Sequence, residues 1–193
     1  MKVNEIFYSL QGEGCHSGTP AVFVRLSGCN LRCPFCDTRH EHGTEMSEAE
    51  VVEAVRQYPA HLVVVTGGEP ALQLTPSLVD ALHAAGRRVA VETNGTRPLP
   101  ANVDWVTLSP KDAFLGPLAA PVLTKADELK LLFDGVSEPQ PYGTIAVAHR
   151  YLQPFDSGDT ARNAHTTAAA VDYIMRHPEW HLSLQIHKIL GIQ

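Results

Sequence analysis

Three cysteines carry the densest chemistry in this chain. Cys29, Cys33 and Cys36 are spaced C-x3-C-x2-C within Gly28-Cys29-Asn30-Leu31-Arg32-Cys33-Pro34-Phe35-Cys36-Asp37-Thr38. A loop this short turns three thiolates toward one point. Thiolates suit zinc and iron–sulfur clusters, and structural zinc usually takes four protein ligands. A [4Fe–4S] cluster held by three cysteines keeps one iron open to a small molecule. Two other readings use the same residues. One is a zinc site whose fourth ligand comes from Cys15, His16, His40 or His42. The other is a redox dithiol at Cys33 and Cys36, a motif that normally opens a helix in a thioredoxin-like fold and gives the third cysteine no task. A disulfide framework fits poorly with four cysteines in 193 residues and no signal peptide at Met1-Lys2-Val3.

Further polar clusters follow apolar runs. Thr66-Gly67-Gly68-Glu69-Pro70 follows Val63-Val64-Val65, and Glu92-Thr93-Asn94-Gly95 follows Val89-Ala90-Val91. Ser109-Pro110-Lys111 follows Trp105-Val106-Thr107-Leu108, and Gln153-Pro154 follows Tyr151-Leu152. Each alone reads as turn chemistry. In parallel sheets, however, sites form beyond the carboxyl ends of the strands, so four clusters on one rim predict one pocket. The Gly67-Gly68 pair lets backbone approach a ligand closely, and Glu69 beside it suits an ammonium group, which together fit a bound amino acid.

The elements that must position these clusters alternate. Strands are expected over residues 3–7, 21–27, 62–65, 88–91, 103–108, 128–133, 151–152 and 181–185. Helices are expected from the Ser47-Glu48-Ala49-Glu50 capping box to about residue 57, over 76–85 before Gly86, and over 160–175 before Pro178. Residues 113–126 carry no motif. The alternation predicts a parallel α/β architecture. A complete eightfold barrel needs about 250 residues, so a partial, open barrel with fewer helices than strands is expected, and a doubly wound open sheet is the alternative. The dinucleotide signature G-x-G-x-x-G is absent after the first strand.

The chain length, 193 residues, suits one domain over residues 1–193. A net charge of −6 argues against a broad nucleic-acid footprint. No run approaches 18 apolar residues, so no membrane span is expected, and free cysteines without an export signal point to the cytoplasm.

Taken together, the cysteine triplet after one strand and Gly67-Gly68-Glu69-Pro70 after another resemble the radical S-adenosylmethionine (SAM) enzymes. A narrower resemblance spans nearly the whole chain. Tyr8-Ser9-Leu10-Gln11-Gly12-Glu13-Gly14, Arg25, Cys36-Asp37-Thr38, Glu92-Thr93-Asn94-Gly95, Ser109-Pro110-Lys111, Gln153-Pro154 and Gln185-Ile186-His187-Lys188 are similar to the 7-carboxy-7-deazaguanine synthase family. The resemblance implies a carbon–nitrogen lyase of queuosine biosynthesis. It would convert 6-carboxy-5,6,7,8-tetrahydropterin to 7-carboxy-7-deazaguanine and ammonia through a 5′-deoxyadenosyl radical. By matched position, Cys29, Cys33 and Cys36 would hold the cluster and Thr38 a Mg²⁺ ion shared with the substrate carboxylate. SAM would meet Phe35, Cys36, Asp37, Gly68, Glu69, Ser109, Pro110, Lys111, Gln153, Pro154, Phe155 and Asp156, with Glu69 facing its ammonium. The pterin would meet Leu10, Gln11, Gly12, Arg25, Thr66, Glu92, His187 and the chain end at Gln193. No side-chain acid or base is implied, because the radical comes from SAM. The resemblance also implies an external flavodoxin-like electron donor and a homodimer. Two other classes compete: an activating enzyme that places a glycyl radical on a protein, and a zinc- or iron–sulfur-binding interaction module.

Overall fold

Outward-facing aliphatic residues fix the sheet of this protein first. The computed structural model describes every residue except Asp37 and Pro141. Among the described residues a nine-stranded sheet runs in the order β3-β1-β2-β4-β5-β6-β7-β8-β9. The strands are β1 (Lys2–Leu10), β2 (Pro20–Leu26), β3 (Thr44–Glu45), β4 (Leu62–Gly67), β5 (Arg88–Thr93), β6 (Trp105–Leu108), β7 (Lys125–Phe133), β8 (Ala146–Pro154) and β9 (His181–Leu182). From β2 to β9 every neighbouring pair is parallel. The edges β3 and β9 do not meet, so the barrel is open.

Period-two alternation sorts each strand onto two faces. On the outer face, Val22, Val24, Val63, Val65, Val89 and Val91 form one buried cluster with Val51, Val52 and Val55 of helix α1 (Glu48–Arg56) and Leu78, Val79 and Leu82 of α2 (Pro76–Ala84). Ser47 and Glu50 close a reciprocal capping box that starts α1, and Thr75 caps α2 through the Leu78 amide. A second outer cluster joins Leu129, Leu131, Phe133 and Leu152 to Ala170 and Tyr173 of α4 (Thr160–Arg176). The inner face is apolar only low down, where Ala21, Phe23, Leu62, Val64 and Ala90 pack with Phe7 and Trp105. Above that layer its side chains become polar.

The structure departs from the sequence expectations at the ends of the sheet. β1 pairs antiparallel with β2, because a loop of nine residues (11–19) is too short for a parallel crossover. β8 runs nine residues rather than two. Its inner positions are polar, so periodicity hid it. The tail expected as strand through residue 185 leaves the sheet after β9 and forms α5 (Ile186–Leu190). Residues 112–119 hold a short helix, α3 (Asp112–Leu115), and one 3₁₀ turn. No helix among the described residues is long and apolar enough to cross a membrane.

Candidate active site

Above the apolar layer lies a cavity of about 650 Å³ at the carboxyl end of the parallel strands. Cys29, Cys33 and Cys36 all line it, as do Phe35, Thr38, Gly68, Ser109, Lys111, Gln153, Phe155 and Asp156. So do Leu10, Gln11, Gly12, Arg25, Thr66, Glu92, His187 and Gln193. The fold thus gathers most residues singled out above, from segments as far apart as residues 10 and 193. Glu69, Pro110 and Pro154 stand outside the lining, and Asp37 lies outside the described residues.

The cysteine loop hangs from the strand ends by backbone and amide contacts. Gly28 N–H donates to the His40 carbonyl (2.8 Å), and Glu69 N–H donates to the Gly28 carbonyl (2.8 Å). Asn30 donates to Thr96 Oγ1 (2.7 Å) and accepts from Asn94 Nδ2 (3.2 Å). Gly68 must lack a side chain here, since a Cβ would lie 1.8 Å from the Gly28 carbonyl oxygen. Burial pushes the Cys29 and Cys33 thiols up from their ordinary value.

Glu69 ties two strand-end loops together. Its side chain is fully buried, and Oε1 accepts from Thr93 Oγ1 (2.7 Å) and Ala71 N–H (2.9 Å) while Oε2 accepts from Asn94 N–H (2.8 Å). Burial raises its pKa against the pull of these bonds. The carboxylate expected to face an ammonium is therefore turned into the scaffold beneath the rim.

The other wall carries the charges. Register places Arg25 beside Thr66 and Glu92 beside Thr107, and Val65 paired with Val91 sets Thr66 next to Glu92. Arg25 and Glu92 are thus two strands apart, about 10 Å between backbones. Arg25 donates to Glu5 Oε1 (2.7 Å) and to Thr38 Oγ1 (3.3 Å). Glu92 accepts from Gln11 Nε2 (3.1 Å) and from Lys130 Nζ (2.6 Å). Lys130 also donates to Glu13 (2.6 Å), and Glu13 accepts from Gln185 (2.9 Å). Lys111 donates to the Ser109 hydroxyl (2.7 Å), and burial, then repulsion by Lys130, brings its pKa down to about 8.

The tail closes one side. Ile186 N–H donates to the Gly12 carbonyl (3.0 Å), and a Cβ on Gly12 would sit 2.2 Å from His187 Nδ1. Gln193 donates to Glu5 Oε2 (2.6 Å) and its carbonyl accepts from Ser9 Oγ (2.5 Å). Sequence reading missed Glu5, Lys130 and the roles of Glu13 and Gln185. Lys130 did leave a signal, as a lone charge inside the apolar run Leu129-Lys130-Leu131-Leu132-Phe133.

Comparison with known proteins now applies. Residues 23–114 match the model of the radical SAM superfamily. The chain is 51% identical over its full length to the 7-carboxy-7-deazaguanine synthase of Bacteroides thetaiotaomicron, covering 98% of that relative. This chain belongs to the 7-carboxy-7-deazaguanine synthase family. The Bradyrhizobium diazoefficiens enzyme of the same name is 39% identical over 99% of the chain and 98% of the relative. The crystal structure of QueE from Escherichia coli superposes with a TM-score of 0.74 at 27% identity, covering 95% of this chain and 93% of that one.

Family membership implies a [4Fe–4S] cluster and SAM. The residues present fit them. Three thiols reach one wall of one cavity. Among the described residues no three Cys, His, Asp or Glu side chains converge on a single ion position. A cubane asks instead for one thiolate per iron, at separate corners.

Proposed function

We propose that this chain is the lyase that converts 6-carboxy-5,6,7,8-tetrahydropterin to 7-carboxy-7-deazaguanine with release of ammonia, in queuosine biosynthesis. The observation that carries this reading is the cavity itself: the three cysteines line it together with Arg25, Thr66 and Glu92, which stand in one row across neighbouring strands. Full-length similarity to enzymes of that name supports it.

Cys29, Cys33 and Cys36 hold the cluster, and SAM on that cluster supplies a radical able to take hydrogen from an unactivated carbon. The remaining work belongs to the protein. The Arg25 guanidinium, aimed into the cavity, exchanges its Glu5 contact for the substrate carboxylate, where a planar fork suits bidentate pairing. Gln11, Gly12, Thr66, Glu92 and His187 hold the ring, and the chain end at Gln193 borders it. Phe35, Gly68, Ser109, Lys111, Gln153, Phe155 and Asp156 hold SAM. Asp37 and the neighbouring Pro110 and Pro154 belong to the same proposal. Glu69 serves by fixing Thr93 and Asn94 rather than by facing solvent. Thr38, next to Arg25, would offer one oxygen to Mg²⁺, which would supply charge to hold the substrate carboxylate. Walls of Phe7, Phe23 and Val64 exclude water from beneath. The protein works as a single-domain homodimer in the cytoplasm, with a flavodoxin-like donor of single electrons.

The decisive test is anaerobic reconstitution followed by incubation with the carboxypterin, SAM and a reductant, with products read by mass. Appearance of the deazapurine acid supports the reading. Turnover only with a polypeptide partner transfers the chain to the glycyl-radical activating class. One zinc per chain without iron–sulfur absorbance makes it a binding module. Within the proposal, Arg25→Ala raises the KM for the carboxypterin by roughly 30- to 100-fold, as expected for a lost charged hydrogen-bond pair, and leaves SAM cleavage without pterin near wild type. Equal loss of both places Arg25 outside the substrate site.

A further inference from the structure

Lys130 has no role in any of the motifs discussed, yet it sits at the centre of the polar wall. The residue is 4% exposed, and its ammonium lies 2.6 Å from both Glu13 Oε2 and Glu92 Oε2. Those carboxylates belong to different elements, Glu13 to the loop after β1 and Glu92 to the end of β5. Their outer oxygens accept from Gln185 and Gln11. All five side chains line the cavity. Two acids and one base leave this wall with a net charge of −1. Two carboxylates brought this close without a cation would repel, and one would take up a proton.

We infer that Lys130 is a positioning residue that keeps Glu13 and Glu92 both ionised and side by side, so that the wall presents two adjacent acceptor carboxylates to the N–H-rich edge of a planar heterocycle. This rests on the ring-binding reading given above. A protonated carboxyl would present a donor where the ring also donates, and the match would be lost. Other charges face the pair: Glu128 from β7 itself, Lys111 from the loop after β6, and His187 from α5. Burial works against charge on Glu13, but the Lys130 ammonium overrides it and holds its pKa at about 2.

The test compares Lys130→Met, Lys130→Arg and the double variant Glu13→Gln/Lys130→Met. In Lys130→Met the carboxypterin KM rises by roughly twentyfold near pH 7. A new pH limb appears that the wild type lacks. The KM falls as pH rises, because ionising the second acid restores the paired acceptors. Lys130→Arg keeps the wild-type profile. The double variant returns the wall to a net −1 and abolishes the limb, which a merely structural lysine would not allow. Melting of the cluster-free proteins from pH 5 to pH 9 reads the same coupling without substrate. Relative to wild type, Lys130→Met loses stability as pH rises through its elevated carboxyl pKa, and the double variant does not. Lys130 also acts on Glu128 and Lys111, so the slope that decides the inference is the one that Glu13→Gln removes from the Lys130→Met background. A Lys130→Met protein with wild-type KM and no extra pH slope overturns the inference. So does a double variant that keeps the slope. Should the wild type ignore the carboxypterin, the proposed reaction fails while the melting series still decides the role of Lys130.

Discussion

The two walls of the cavity are built in opposite ways. The Glu13–Lys130–Glu92 wall is finished by folding: its charges are largely buried, paired through one ammonium and bonded at 2.6 to 3.1 Å. The cysteine wall is not. Cys29 and Cys33 are half-buried and Cys36 is exposed, and among the described residues the Cys29 and Cys36 sulfurs make long contacts of 3.4 Å to the Leu31 amide and the Thr38 carbonyl. The loop backbone is held by Gly28 and Asn30 and by close approach to Gly68, and the Phe35 ring packs against Phe114 and Phe155. The difference teaches that folding alone sets the charged wall, whereas the sulfurs are left to be oriented by whatever group they bind.

That contrast breaks most sharply at the cysteines. Cys33→Ala eliminates turnover and iron–sulfur absorbance, whereas the cluster-free protein unfolds within about 0.5 kcal/mol of wild type. A large loss of stability in the cluster-free state would show that the loop is structural after all. The next largest effect lies at the hinge between the walls. Glu69→Ala strands the Thr93 hydroxyl and the Ala71 and Asn94 amides and costs about 3 kcal/mol, read by urea unfolding, together with poorer cluster incorporation. A cost below about 1 kcal/mol would mean that water replaces the carboxylate easily.

Beneath the ring wall, Glu128 sharpens the comparison through pH. Its carboxyl is 1% exposed, accepts from Cys15 N–H (2.9 Å), and is pushed up by burial from 4.5 to about 7. Because the folded value is raised, the stabilisation is complete below the unfolded value and is lost as pH rises through about 7. The wild type therefore loses on the order of 3 kcal/mol from this group between about pH 4.5 and pH 8. Glu128→Gln removes that slope, and denaturant unfolding at the two ends of the range measures it. Identical slopes in both proteins would contradict the buried carboxyl. The smallest effect is at Cys15, whose thiol is exposed and whose contact with Glu128 runs through its backbone. Cys15→Ala keeps activity within about twofold, since surface substitutions seldom exceed 0.5 kcal/mol, and a larger drop would implicate the fourth thiol in the cluster wall.

Much of this was legible in the residues. The valine runs of β4 and β5, the Ser47–Glu50 capping box and the polar cluster after each strand all depend on neighbours in the chain. Their physics is local: burial on both faces, helix start signals and turn chemistry. The thiol spacing is local in the same way, and all three cysteines do line one cavity. What needed the folded chain is whatever joins distant segments. β8 was legible only at residues 151–152, because its polar residues look outward in sequence and inward in the barrel. The antiparallel β1–β2 pair and the departure of the tail into α5 follow from loop length and from docking on Gly12, more than 170 residues away. Lys130 and Glu69 were ambiguous for one shared reason. A charge in an apolar run, or an acid in a turn, acquires its role only from the partner that tertiary structure brings to it, because the cost of burying it is met by hydrogen bonds from other strands.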